Sequence, residues 1–112
     1  MEQEKKKEIA KRLMEQKEEL HTEYREKGFR AGQGIVDYFD YETLLFIKNV
    51  VVPNGVDGRY NSCSNSDDTY RDYLNEIIED DDFLLDEEIW DVWSDGWIKG
   101  FLQAWLEIKA EL

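Results

Sequence analysis

The sequence predicts an all-α protein: an irregular four-helix bundle arranged around a long C-terminal helix rich in tryptophan. Three observations carry that expectation. At about 100° per residue, Trp90, Trp93, Trp97, Phe101, Ala104, Trp105 and Ile108 fall within one arc of roughly 120°. Residues 2–27 are strong helix formers, with no glycine or proline before Gly28. Asp40, Ser66 or Asp67, and Asp86 each precede an apolar-periodic run, where a side-chain oxygen can accept from the free N–H groups of a first helical turn. The chain has 112 residues, 41% hydrophobic and 13% aromatic, which is enough apolar surface for one core and predicts a single domain over 1–112.

The first helix, 2–27, has a narrow apolar stripe. Ile9, Leu13, Leu20 and Tyr24 lie near heptad spacing, but Gln16 and Lys17 interrupt the seam. Such a helix packs weakly on one side or projects toward a partner, and residues 9–24 are the candidate contact for a homodimer. Over Gly28–Phe39 helical spacing persists, although Gly28, Gly32 and Gly34 each cost about 1 kcal/mol relative to Ala. Two outcomes stay open there: a bent continuation, or a break near Gly32–Gly34. Asp40 starts a second helical run, Tyr41–Val51. The alternative is a short strand near residues 45–52, which are rich in β-branched side chains. Pro53-Asn54-Gly55 ends the run in either case and opens a long polar loop, 53–66.

The third helix starts at Ser66 or Asp67 and reaches about Glu79, with Tyr70, Tyr73, Leu74, Ile77 and Ile78 inward. The last helix has Asp86 as its cap, Glu87 and Glu88 in the first turn, and Leu85 placed to pack on Trp90. It then continues to the end of the chain. Two segments share the pattern Gly-aromatic-x-x-Gly: Gly28-Phe29-Arg30-Ala31-Gly32 and Gly96-Trp97-Ile98-Lys99-Gly100. Small residues four apart let helix backbones approach closely, so the two helices are expected to cross at these notches.

The formal charge is −13, and it is unevenly placed. Residues 67–95 hold thirteen acids against Arg71 alone, while the rest of the chain is nearly neutral. An acidic excess of this size excludes a basic, phosphate-gripping nucleic-acid binder and opposes attraction to anionic membranes. One cysteine and one histidine exclude a disulfide framework and a Cys/His metal site. Asp80, Asp82 and Asp86 start like a calcium loop, but Leu84 and Leu85 stand where a ligand and a glycine are required, so no metal or other cofactor is expected. Cys63 has no base near it in sequence, His21 lies in a charged helix, and the carboxylates sit at outward periodic positions, so no catalytic group is assigned. No stretch reaches the roughly 18 apolar residues of a membrane span, and no signal-peptide core opens the chain, which predicts a cytoplasmic protein.

The acidic block therefore reads as a binding surface. Asp68, Asp72 and Glu76 lie four apart on the third helix, as do Glu87, Asp91 and Asp95 on the fourth. Each set places carboxylates about 6 Å apart, comparable with the spacing of successive phosphates along a nucleic-acid strand. With Glu79, Asp80, Asp81 and Asp82 these ten residues form the candidate partner-binding face. In its size, its one acidic face (67–95) and its lack of catalytic groups, the chain resembles small acidic inhibitors of phages and mobile elements, of the anti-CRISPR or anti-restriction type. That resemblance implies a non-enzymatic DNA mimic that occupies the basic groove of a host nucleic-acid-binding enzyme. The rival expectation is a structural or assembly protein that self-associates through the N-terminal helix.

Overall fold

Glutamate, lysine and glutamine lose little side-chain freedom in a helix, and the first 30 or so residues are built mainly from them. In the computed structural model, which describes residues 2–57 and 64–112, they form helix α1 over Gln3–Gly34. The helix passes through Gly28 and Gly32 without a break, and a 3-10 turn at Ile35–Asp37 ends it. Asp40 then caps α2 (Tyr41–Phe46), its carboxylate accepting from the Thr43 N–H at 2.9 Å. The backbone continues through a π-helical turn, Ile47–Val51, into the single turn α3 (Val52–Asn54). Helix α4 spans Asn65–Asp80, and a 3-10 turn, Asp82–Leu85, leads into α5 (Glu87–Lys109). Among the described residues there is no strand.

The helical reading of residues 41–51 holds over its strand alternative, while details of the helix starts and ends need correction. Residues 45–52 are helical, because burial of Leu44, Ile47 and Val51 on one face outweighs the β-branched composition. The run ends within Pro53-Asn54-Gly55 as expected, although Pro53 itself is still helical. Pro53 sits at the start of α3, where the widened π register precedes it, and Gly55 (φ 99°) makes the exit that few other residues could adopt. The cap of α4 is Ser64, whose hydroxyl accepts from the Asp67 N–H at 3.1 Å; Ser66 and Asp67 are buried within the first turn. Leu85, expected to pack on Trp90, is 71% exposed, and Trp90 stacks on Trp93, ring centroids 5.3 Å apart. Of the 53–66 loop, Val56 is buried and its carbonyl accepts from the Tyr70 hydroxyl. Residues 58–63, Cys63 among them, lie outside the described residues.

The centre of the molecule is a parallel pair, α1 with α5, joined at the two glycine motifs. A Cβ on Gly28 would overlap the Trp93 carbonyl oxygen, and one on Gly32 the Trp97 carbonyl oxygen. Reciprocally, a Cβ on Gly96 would overlap the Arg25 carbonyl and one on Gly100 the Phe29 carbonyl. The hydrogen that replaces each Cβ therefore points at a carbonyl oxygen of the other helix, a weak C–H···O contact that recurs where helices touch. The four contacts are related by one constant shift in numbering: adding 68 to Gly28, Gly32, Arg25 and Phe29 gives Gly96, Gly100, Trp93 and Trp97. The two motifs thus pack as a local pseudo-twofold pair, although the sequences around them differ.

Around this pair the aromatic side chains form the core. Trp97 stacks on Phe101 (6.0 Å) and Phe101 on Trp105 (6.1 Å), one turn apart along α5. Helix α4 covers that stripe with Tyr70 and Tyr73, and the Trp97 Nε1–H donates to the Tyr73 hydroxyl at 3.1 Å. Helix α2 closes the far end, Tyr41 stacking on Trp105. Parallel packing puts Lys17 beside Glu88, in the first turn of α5, so Gln3–Gln16 extend beyond the bundle by about 21 Å at 1.5 Å per residue. The molecule measures 60 × 29 × 23 Å, with a radius of gyration of 17.2 Å against about 13 Å for a rounded chain of this length.

Candidate functional site

The acidic stretch divides into carboxylates that the fold uses and carboxylates that it leaves free. Asp81 is among the used ones. Helix α4 ends at Asp80, and the extended backbone of Asp81 turns its side chain inward, where it accepts from the Tyr24 hydroxyl (2.7 and 2.9 Å) and from the Phe83 N–H (3.0 Å). Asp95 lies between Arg25 (3.7 Å) and Lys99 (2.9 Å). Glu88 pairs with Lys17 at 3.0 Å and has His21 Nε2 at 3.7 Å. Asp67 pairs with Arg71, and Asp86 caps α5 by accepting from the Ile89 N–H. Two residues of the predicted face, Asp81 and Asp95, are therefore structural. The signal for the α1 partners was present in the spacing of Lys17, His21 and Arg25, four apart on one helix face.

The other eight, Asp68, Asp72, Glu76, Glu79, Asp80, Asp82, Glu87 and Asp91, are all exposed. Among the described residues none of them makes an ion pair or a side-chain hydrogen bond. Like charges at i, i+4 oppose a helix by a few tenths of a kcal/mol each, which applies to Asp68–Asp72, Asp72–Glu76, Glu76–Asp80 and Glu87–Asp91. Glu79 and Asp80 also occupy the last turn of α4, which holds no base and where the helix dipole is itself negative. Asp72, Glu76, Glu79 and Asp80 thus work against α4, whereas Asp68 and Glu87, in the first turns of α4 and α5, are favoured there by the helix dipole. Among the described residues, no group of three or more His, Cys, Asp or Glu is placed to hold a metal ion, and no helix is long and apolar enough to cross a membrane.

Two tyrosines tie this stretch to the core, and both hold their protons tightly. Burial raises the Tyr24 hydroxyl far above its usual range, and its hydrogen bond to Asp81 adds to the rise. Tyr73 is pushed up to about 12 by burial, against the opposing effect of the Trp97 N–H it accepts and with a further rise from Tyr38. A folded-state pKa above the unfolded value of about 10 leaves stability unchanged below pH 10 and removes it as pH rises toward 12. Thermal melts from pH 8 to 11.5 should therefore fall beyond pH 10, at roughly 1.4 kcal/mol per pH unit for each such group. Tyr73→Phe should flatten that decline, and an unchanged slope in this variant would show that Tyr73 is not one of the groups responsible.

Comparison of the chain with known protein families, with curated proteins and with solved structures finds no match to any of them.

Proposed function

We propose that this is a non-enzymatic binding protein whose acidic face occupies the basic, nucleic-acid-binding surface of a partner protein. The observation that supports the reading is the set of eight exposed carboxylates that have no cationic partner among the described residues, gathered in one stretch of α4, the following turn and α5. Those in the body and last turn of α4 lower the stability of that helix, and a cationic surface would relieve the repulsion while giving up its counterions. Such capture is fast and falls steeply with salt. Inhibition of a nuclease, in the manner of small acidic phage inhibitors, is the biology this chemistry suits.

The test is charge reversal of Asp72, Glu76 and Asp91 to Lys, leaving Asp95 and Asp81 in their structural contacts. The triple variant should melt no lower than the native protein, since the substitutions remove like-charge pairs. Its affinity for the captured partner should fall on the order of 100-fold at about 0.1 M salt. Equal affinity would contradict the reading.

Self-association through α1 is a second reading, favoured by the projecting turns. Leu13 is 51% and Met14 61% exposed there. Leu20 and Tyr24 pack into the core, so only the first part of residues 9–24 is free for a second copy. Sedimentation of the native chain beside one lacking residues 1–16 separates the readings. A native dimer that becomes a monomer on truncation, with partner capture intact, assigns the arm to self-association.

A further inference from the structure

We propose that the groove between the end of α1 and α4 is the socket for an arginine side chain of the partner. This rests on the reading of the acidic face given above and names the residue type that anchors it. The groove encloses about 290 Å³. Its floor is apolar, with Ile35 and Ile77, and Gly34 contributes no side chain to fill it. Tyr38 and Tyr73 form one wall, their ring centroids 6.1 Å apart and inclined by 54°. Tyr38 is 69% exposed, whereas the Tyr73 hydroxyl is fixed by the Trp97 N–H. Glu76 and Asp80 stand on the rim, one helical turn apart, exposed and without a cation among the described residues.

Each of these features fits one part of an arginine. An apolar floor accepts the three-carbon stem, which water solvates poorly. An open tyrosine face accepts a guanidinium by stacking, and the rim carboxylates accept from its planar fork of N–H groups. A purely apolar side chain would leave both carboxylates unused, and an anion would meet them and the surrounding negative field. A lysine fits less well, because its ammonium is compact, strongly hydrated and unable to stack. Arginine-rich surfaces are also those that grip phosphates, so the preference agrees with the class of partner proposed.

The socket can be tested without the partner by titrating the full-length protein with Nα-acetyl-arginine amide and following NMR signals. The Trp97 indole N–H is the internal reporter, because it donates to Tyr73 in the wall. Saturable shifts are expected, with a dissociation constant on the order of 1 mM, as suits a ligand of this size. Nα-acetyl-citrulline amide, neutral and nearly isosteric, and Nα-acetyl-lysine amide should each bind at least about fivefold more weakly. Tyr38→Ala and the exposed pair Glu76→Gln with Asp80→Asn should each lower arginine affinity about fivefold or more, the pair without loss of thermal stability. The proposal is overturned if arginine gives no saturable shift, if citrulline or lysine binds as tightly, or if both variants respond like the native protein. Reversal of Asp72 and Asp91 alone should leave the titration unchanged while weakening partner capture, so the socket and the acidic face can fail separately.

Discussion

Gly32→Ala should destabilise the protein by about 3 kcal/mol, whereas Gly34→Ala, two residues further along the same helix, should stabilise it by roughly 0.5–1 kcal/mol. On propensity alone both substitutions favour the helix, because alanine has less backbone freedom to lose. The neighbours reverse the sign at one site. A methyl on Gly32 has nowhere to go, since it meets the backbone of Trp97 and lies 2.9 Å from the Phe101 nitrogen, and backbone cannot rotate aside as a side chain can. The α1–α5 pair would have to separate, losing the C–H···O contacts and loosening the aromatic stripe. Gly34 has φ −69° and ψ −21°, ordinary for any residue, and a Cβ there meets nothing within 4 Å. Urea or thermal unfolding of the two variants beside the native chain reads the contrast directly. Equal shifts for both would mean that the helices are not in backbone contact.

Trp97→Ala should cost about 3–5 kcal/mol, a large part of the roughly 5–15 kcal/mol that hold a domain together. Trp97 is completely buried, stacks on Phe101 and meets the rings of Tyr70 and Tyr73. Removing it opens a cavity where α4 meets the parallel pair. Trp97→Phe is the informative companion, since it retains an aromatic ring but removes the indole N–H that donates to the Tyr73 hydroxyl. Its cost should be smaller, about 1–2 kcal/mol, from the reduced volume and the lost hydrogen bond. Denaturant unfolding followed by far-ultraviolet circular dichroism gives both values, and a Trp97→Ala cost below that of Trp97→Phe would contradict this packing.

What the sequence disclosed depends on how locally each feature is determined. Asp40 and Asp86 were legible as caps because a cap needs only its own next three residues. The apolar arc of α5 was legible because it is a property of spacing, and Trp93, Trp97, Phe101, Ala104 and Trp105 are all buried. The glycine notches were legible for the same reason, though spacing alone could not show that the helices run parallel. The course of α1 through Gly28 and Gly32 depended on a partner helix 65 residues away, whose close approach offsets the cost of glycine. The π turn before Pro53 follows from tertiary burial of Ile47 and Val51, which competes with local propensity.

The charge of the acidic stretch was legible, and the pairing of its individual carboxylates was not. Counting charge located 67–95, yet a count cannot tell a free carboxylate from one turned inward. Asp81 meets Tyr24 across 57 positions, and Asp95 meets Arg25 through the same parallel packing that joins the glycines. Groove and face were equally separate in sequence, because Tyr38 reaches Tyr73 only after the chain has turned at Ile35–Asp37.

The most direct test of the acidic-face account is competition for a captured partner. Labelled duplex DNA or RNA bound by that partner is challenged with the native protein and with a variant whose eight free carboxylates are replaced by Asn or Gln. The account predicts that the native protein displaces the nucleic acid, less effectively as salt rises, and that the neutral variant folds normally but does not displace it. Displacement by the neutral variant at the same concentration and salt would contradict it.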